Sequence, residues 1–228
     1  MLSLALDSSN QSLAVALLDD DQLLGQVLIT IKKNHSITLM PTIDYLVATC
    51  DVDKAAIGRI VVAQGPGSYT GLRIAVATAK TLAMALDAEL VGVSSLYALT
   101  DAETAGLQVP LINARRQAVY AGLYLEGQAQ SADRYQPLVE LLDSLQDQDQ
   151  LTFVGEVAGF EDLIRERLPQ AAIKATQPDA YRLGLRGLDL LPVDVDAFVP
   201  AYLKQVEAEE KWQESHPSAQ SGDYITRI

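Results

Sequence analysis

The sequence has little cysteine and no long apolar run. Cys50 is the single cysteine among 228 residues, so an internal disulfide and a cysteine-based metal cluster are both excluded, in keeping with a reducing compartment. No apolar stretch is long enough to span a bilayer, and no basic, cleavable leader precedes the first predicted strand. We therefore expect a soluble cytoplasmic protein with no membrane partner.

Positive charge is also scarce. Lys and Arg number 17 against 30 Asp and Glu, which gives a formal net charge of −13. Contact with a nucleic-acid backbone requires a positive surface. The chain by itself is therefore not expected to hold RNA or DNA, and a nucleic-acid substrate would have to be held by a partner.

Histidine is too rare to predict a metal site. A helical zinc site places two imidazoles four residues apart, but the position four residues after His35 is Leu39, and the other histidine, His216, stands in a polar segment. Ser68 follows a Gly-Pro-Gly turn and not the Gly-x-Ser-x-Gly elbow of serine hydrolases. We predict no catalytic residue and no metal ligand.

The most informative stretch is residues 60–74, IVVAQGPGSYTGLRI. An apolar strand runs into a turn that contains Gly65 and Gly67, and Ser68 or Thr70 is placed to cap the helix that follows. Such a helix start can bind an anion. No Gly-Lys-Ser follows, as it would in a Walker loop, and the glycine spacing differs from the dinucleotide fingerprint. An anion site and a plain tight turn both remain open.

The predicted helix from Leu72 to Leu86 is apolar on nearly all sides, with Arg73 and Lys80 as its charged residues. Small residues recur every fourth position at Gly71, Ala75, Ala79 and Ala83. A stripe of this kind allows close packing. The surface that it meets is either a sheet of the same chain or a helix of a partner.

The order of predicted elements indicates the fold. Strands at 2–9, 12–18 and 22–31 precede a helix at 35–50, a strand from 60, the helix to 86 and a strand at 89–93. This order is half of an actin-like, ribonuclease H-like (ASKHA) α/β fold with mixed sheets flanked by helices. Asp7, with Ser8 and Ser9, ends the first strand, where that fold keeps a phosphate-site carboxylate. The alternative role for Asp7 is to cap the turn.

The second half repeats the pattern in weaker form. We predict strands at 109–113, 118–125, 151–154 and 171–175 and helices at 138–145, 160–168 and 180–190, with a helix at 94–105 joining the halves. The lobes are predicted at 1–100 and 101–206, followed by a charged helix and flexible tail at 207–228. The turn at Asn113 lacks the Asp-Gly-Gly of a working phosphate loop, and Gly155 and Gly159 are separated, so the nucleotide loops look eroded.

Together these motifs resemble the bacterial TsaB (YeaZ) family up to about Trp212. They are LALDSS at 4–9, His35-Ser36 with Leu39-Met40-Pro41, QGPGSYTGLRI at 64–74, VSSL at 93–96, NARR at 113–116 with Val119-Tyr120, and PAYL at 200–203. Asn113 stands where the family usually has Asp, and Lys204 where it usually has Arg.

The resemblance implies a two-lobed, non-catalytic paralogue of the TsaD/Kae/Qri family. Its members help to form threonylcarbamoyladenosine at position 37 of tRNAs that read codons beginning with adenine. They bind and activate TsaD as a heterodimer, with the ATPase TsaE as third partner, and pair with themselves when alone. No cofactor of its own is implied, although ATP or ADP at an interface with partners is, and tRNA is reached only through the complex. The alternatives are an ATP-dependent phosphotransferase and, more weakly, a metallopeptidase-like hydrolase.

The resemblance also implies two groups of residues. The partner interface lies on the two N-terminal helices and comprises His35, Ile37, Met40, Ile43, Leu46, Val47, Gly71, Ile74, Ala75, Thr78, Ala79, Leu82 and Ala83. A vestigial nucleotide or phosphate turn comprises Asp7, Ser8, Ser9, Gly65, Gly67, Ser68 and Thr70.

Overall fold

The computed structural model describes residues 1–30 and 34–204. The strands of this part are β1 (Leu2–Asp7), β2 (Leu13–Asp19), β3 (Gln22–Ile29), β4 (Ile57–Gly65), β5 (Glu89–Ser94), β6 (Leu107–Asn113), β7 (Ala118–Ala121), β8 (Tyr124–Leu125), β9 (Gln128–Ala129), β10 (Arg134–Pro137), β11 (Leu151–Gly155) and β12 (Ala172–Ala175). Its α-helices are α1 (His35–Thr49), α2 (Tyr69–Leu86), α3 (Leu138–Ser144), α4 (Glu161–Arg167) and α5 (Ala180–Leu188). None of these helices is long and apolar enough to cross a membrane.

The first sheet has the strand order β3-β2-β1-β4-β5. Its central strand β1 is antiparallel to β2 and parallel to β4, so that Leu4 pairs with Leu17 on one side and with Ile60 on the other. These three strands read as continuous apolar runs because helices cover both faces of the sheet.

The two faces of this sheet differ in residue size. Large side chains such as Leu4 and Leu6 point to the face that α1 and α2 cover. Small ones such as Ala5, Ala14 and Ala16 point to the opposite face, against α5. Side chains alternate along a strand, so one apolar run supplies a thick core on one side and a thin one on the other.

The thin side lets α5 approach the sheet closely. A Cβ on Gly184 would lie 2.6 Å from Leu18 Cδ1, and a Cβ on Gly187 would overlap the Val61 side chain. The buried Arg59 side chain holds the end of the helix, since its Nη1 donates to Gly187 O at 2.7 Å. The contact between α5 and the sheet therefore depends on two glycines one turn apart.

The second sheet repeats the order of the first. Its path is β10-β7-β6-β11-β12, with the short β8 pairing with β6 and β9 beside it. The third, second, first, fourth and fifth main strands of each half thus lie side by side in the same sequence. Helices α3 and α4 pack on this second sheet around Phe153.

The division into lobes predicted from the sequence needs one correction. The strands change sheet between Ser94 and Leu107, but α5, which we assigned to a lobe spanning 101–206, packs against β1, β2 and β4 of the first sheet. The reason is the fit between the glycines of α5 and the alanine face of that sheet. The predicted tail at 207–228 lies outside the described residues.

Two further predictions are wrong. Residues 94–105 are not an α-helix but contain only a short 3-10 turn at Tyr97–Leu99. The apolar side chains of Leu96 and Leu99, which suggested a helix face, pack instead against Ile112 and Tyr124 of the second lobe. The single strand predicted at 118–125 is divided into β7 and β8 around Gly122. Strand β10 was missed because its four residues carry no alternating apolar pattern.

We predict that Gly187→Ala lowers the free energy of unfolding by about 1–3 kcal/mol, although alanine is the better helix former. The added methyl group would force α5 away from Val61 on strand β4. Urea denaturation of wild type and variant measures the difference. Gly58→Ala is the matched control, since its Cβ would lie at an ordinary 3.4 Å from Met1 Cγ. Equal effects of the two substitutions would contradict the proposed close contact.

Candidate functional site

The turn between β4 and α2 lies against the loop between β1 and β2. Gly65 has a φ of 123°, Ser68 N donates to Ser9 O at 2.6 Å, and a Cβ on Gly67 would overlap the same Ser9 O. Glycine is needed at position 65 for its positive φ angle and at position 67 for the close approach to Ser9 O. Of the two predicted caps, Ser68 is the N-cap of α2, and its Oγ accepts from Gly71 N at 3.4 Å.

The β1–β2 loop forms the other side of this contact. Ser8 Oγ donates to Gly71 O at 2.9 Å, and Ser9 N donates to Asp7 Oδ1 at 2.7 Å. Asp7 Oδ2, Ser9 Oγ and Asn10 Nδ2 are buried and have no hydrogen-bond partner among the described residues. The residues of the predicted phosphate turn are therefore brought together, with Thr70 exposed beside them on α2.

Asp7 has an unusual environment. The side chain is fully buried, and burial raises the pKa of its carboxyl from 3.8 to about 6. The hydrogen bond from Ser9 N and the charge of His35 oppose this rise in pKa, but they are weaker than the loss of solvation. Asp7 is thus a carboxyl group that the fold disfavours in its charged form.

A cleft of about 690 Å³ separates this loop and turn from the second lobe. Its floor and near wall come from the first lobe, and Ile112, Ala114 and Tyr120 belong to the far wall. The remaining lining residues are Ser9, Asn10, Gln11, Asn34, His35, Gly67, Ser68, Tyr69, Thr70, Gly71, Ile74, Asn113, Arg115 and Glu156.

The far wall of the cleft includes the turn that begins at Asn113. Hydrogen bonds within the chain fix the conformation of this turn. Asn113 Oδ1 accepts from Arg115 N at 2.8 Å, and Asn113 N donates to Glu156 Oε2 at 2.9 Å. Arg115, Arg116 and Gln117 all have positive φ angles. Glu156 was missed as a cleft residue, although its position two residues after the predicted strand at 151–154 was the available signal.

The histidine at the start of α1 also lies at the cleft. His35 Nε2 is 3.1 Å from Asn10 O, and Leu39, one turn further on, is buried in the core. Across residues 1–30 and 34–204, no group of three or more His, Cys, Asp or Glu side chains could hold a metal ion.

The predicted partner-interface residues fall into buried and accessible groups. Seven of them are buried within the chain itself, namely Ile43, Leu46, Val47, Gly71, Ala75, Ala79 and Ala83. The small-residue stripe of α2 packs against the sheet, chiefly β4. Of the two interpretations left open for this stripe, packing within the chain is the one observed, so these seven positions are corrected from interface to core.

The other six predicted residues remain accessible. Ile37 and Met40 are exposed by 69% and 40%, and His35, Ile74, Thr78 and Leu82 are half-buried. Sequence reasoning missed two exposed apolar side chains on the same helices, Tyr45 and Met84. The spacing of Ile37, Met40 or Pro41, Tyr45 and Ala48 is itself a helical stripe, which was the signal overlooked.

Residues 22–212 match the family model described as TsaD, tRNA N6-adenosine threonylcarbamoyltransferase. The chain is 37% identical to the tRNA threonylcarbamoyladenosine biosynthesis protein TsaB of Bacillus subtilis, over 94% of this chain and 99% of that protein. Both matches extend over most of the chain and through both lobes.

Solved structures agree with these matches. A Pseudomonas aeruginosa protein described as uncharacterized, with similarity to peptidase YeaZ, superposes with a TM-score of 0.75 at 26% identity, covering 89% of this chain and 99% of its own. The activator of 2-hydroxyisocaproyl-CoA dehydratase from Clostridium difficile, with bound ADPNP, has a TM-score of 0.51 at 11% identity, covering 100% and 99%. The latter shows the fold alone. The predicted two-lobed, actin-like α/β fold is confirmed.

We predict that Asp7→Asn stabilises the protein at neutral pH. The raised pKa means that stability from Asp7 is fully present below pH 3.8 and is lost as the pH rises through about 6. The variant should gain about 1–3 kcal/mol in free energy of unfolding at pH 7.5 and clearly less at pH 5. Urea denaturation at both pH values tests this.

Asp44→Asn is the control for the Asp7 prediction, because Asp44 is exposed on α1 and its pairing with Lys54 is a surface contact. We expect the control to change the free energy of unfolding by less than about 0.5 kcal/mol at either pH. A loss of stability in Asp7→Asn at pH 7.5 would mean that the charged carboxylate has a favourable partner after all.

Proposed function

Since the chain belongs to the TsaB (YeaZ) family, we propose that it is the non-catalytic subunit of the assembly that forms threonylcarbamoyladenosine in tRNA. The family acts in tRNA threonylcarbamoyladenosine biosynthesis. In this proposal the chain works in the cytoplasm, binds and activates a TsaD-type transferase, and has the ATPase TsaE as third partner.

The observation that carries the proposal is the outward face of α1 and α2. Ile37, Met40 and Tyr45 are exposed on α1, and Met84 is 66% exposed on α2. The two helices lie on the same face of the first sheet and contact each other. Exposed apolar side chains on two adjacent helices indicate a protein-protein interface. We name this surface the pairing face, defined by Ile37, Met40, Tyr45 and Met84.

The match to the TsaD family model supports a partner of that kind. A partner with the same fold would present its own equivalent helices, so that the two chains could meet around a pseudo-two-fold axis. In the absence of that partner, a second copy of this chain can use the same face, which accounts for the homodimer that we propose for the isolated protein.

The start of α1 supports a non-catalytic role. His35 Nε2 is within hydrogen-bond distance of Asn10 O, and the position one helical turn later is the buried Leu39. A pair of metal-binding histidines on one helix face would need a second imidazole at that position. The Leu39 side chain packs in the hydrophobic core instead. The transferase chemistry is therefore assigned to the partner.

The first-lobe turn supports the absence of a cofactor of its own. Ser68 N, at the start of α2, already donates to Ser9 O, and Ser8 Oγ donates to Gly71 O. A phosphate group would have to compete with these contacts. We propose that ATP or ADP binds only at a surface completed by a partner.

The proposal is tested by mixing the chain with a TsaD-type protein of the same organism and measuring their association by light scattering. Tyr45→Asp and Met84→Asp, each of which places a charge on the pairing face, should weaken association at least about tenfold. Threonylcarbamoyl transfer to tRNA should require the wild-type pair or the full set of subunits and should fall with association.

Leu191→Asp is the control, because Leu191 is 88% exposed in the segment after α5, away from the pairing face. Ala75→Glu is unsuitable, since Ala75 is in the core and its loss would unfold α2. Full association of both pairing-face variants would refute this interface. Transfer or ATP turnover by the chain alone would refute the non-catalytic role and favour the phosphotransferase alternative.

A further inference from the structure

Four of the nine tyrosines of the chain gather at the mouth of the interlobe cleft. Tyr69 at the start of α2 stacks on Tyr202, with ring centroids 5.0 Å apart. Tyr120 on β7 and Tyr135 on β10 form a second pair at 5.6 Å. We name these four residues the tyrosine patch. It joins the first lobe to the second and includes the segment that follows α5.

Cations accompany both pairs of rings. The Arg73 guanidinium lies 5.5 Å from the centre of the Tyr69 ring, and Lys204 Nζ lies 5.1 Å from the centre of the Tyr135 ring. Arg115 lines the adjoining cleft together with Tyr120. The chain as a whole is acidic, with a net charge of −13. A local group of cations next to aromatic rings is therefore opposite in sign to the overall charge of the protein.

The patch is open to a ligand. Tyr69 and Tyr202 are 47% and 42% exposed, and a hollow of about 130 Å³ lies between the two pairs. Tyr69 and Tyr120 line both this hollow and the large cleft. Among the described residues that line the two spaces, Glu156 is the acidic one, and it is engaged with Asn113 N.

Flat rings flanked by cations suit unpaired bases. Single-stranded RNA binds by stacking its bases on aromatic side chains while Arg and Lys contact its phosphates, whereas the bases of a duplex are already stacked on each other. Arg adds cation-π attraction at the same site. A tRNA offers unpaired bases of this kind in its loops.

We propose that the tyrosine patch, with Arg73, Lys204 and Arg115, binds a single-stranded segment of the tRNA substrate within the assembled complex. This inference rests on the proposed function, which supplies the tRNA. It differs from the expectation that tRNA is reached only through the partners, because here the chain contributes contacts of its own. The net charge of −13 explains why these contacts operate only alongside a partner that holds the rest of the RNA.

Arg73 and Tyr202 are not among the four residues that define the pairing face. Arg73 is in the second turn of α2, and Met84 lies about 16 Å further along the same helix. Tyr202 is outside both helices of the pairing face. Substitutions at Arg73 and Tyr202 therefore test RNA contact and leave association with the TsaD-type partner as an independent measurement.

The test uses the full-length chain assembled with its TsaD-type partner and a fluorescein-labelled tRNA that reads a codon beginning with adenine. The dissociation constant is measured by fluorescence anisotropy, and association of the two proteins by light scattering. Tyr202→Ala and Arg73→Glu should each weaken tRNA binding by about fivefold or more, with association of the proteins unchanged. The affinity of the Arg73→Glu complex should also fall less steeply as salt is raised.

Two controls match these changes. Tyr202→Phe keeps the ring and should bind within twofold of wild type. Arg165→Glu makes the same charge change as Arg73→Glu on α4, where Arg165 is 65% exposed, and should also stay within twofold.

The outcomes separate the two proposals. Unchanged tRNA binding by Tyr202→Ala and Arg73→Glu in an intact pair overturns the RNA-binding patch and leaves the proposed function standing. An equal loss with Arg165→Glu would assign the effect to net charge and would also overturn the patch. Displacement of the tRNA by equimolar ATP would assign the site to a free nucleotide. Failure of the wild-type chain to associate with its partner would overturn the proposed function and this inference with it.

Discussion

The structure depends on one close contact between two backbones. The loop after β1 and the turn before α2 meet through the hydrogen bond from Ser68 N to Ser9 O, at a distance that Gly67 and Gly71 alone permit because any Cβ there would overlap the loop. This contact fixes where α2 begins. It therefore positions the floor of the cleft, the Tyr69 ring of the tyrosine patch and the outward face of α2. The functional proposals rest on these three features.

The two halves use one strand order for different purposes. In the first half, helices cover both faces of the sheet, so the three inner strands β2, β1 and β4 are largely apolar and form the larger core. In the second half, α3 and α4 pack on the sheet around Phe153, while the turn at Asn113 and the strand that carries Tyr120 form the far wall of the cleft. The same strand order thus carries a sheet with helices on both faces in one lobe and a wall facing the cleft in the other.

The sequence alone predicted the features that depend on local pattern. The strand and helix order of the first half and the sharp turn at Gly65 and Gly67 follow from period, glycine and β-branched residues. The grouping of Asp7 with that turn came instead from the resemblance to a known fold and family. Features set by packing could not be read in this way. The stripe at Ala75 has the same spacing whether it meets a sheet or a partner, and Leu96 and Leu99 have a helix-like spacing although they fill the space between lobes. Tyr202 and Tyr135 are far apart in sequence, so no local pattern joins them.

The return of α5 to the first sheet makes the first lobe a discontinuous folding unit. Residues 1–94 supply its strands, but the alanine face of that sheet stays uncovered until Ala180–Leu188 arrives. During synthesis the ribosome must therefore produce the whole second lobe before the first can close, and the contacts of Arg59 with Gly187 and Leu188 join residues 128 and 129 positions apart. Such long-range closure slows folding and couples the two lobes into one cooperative event.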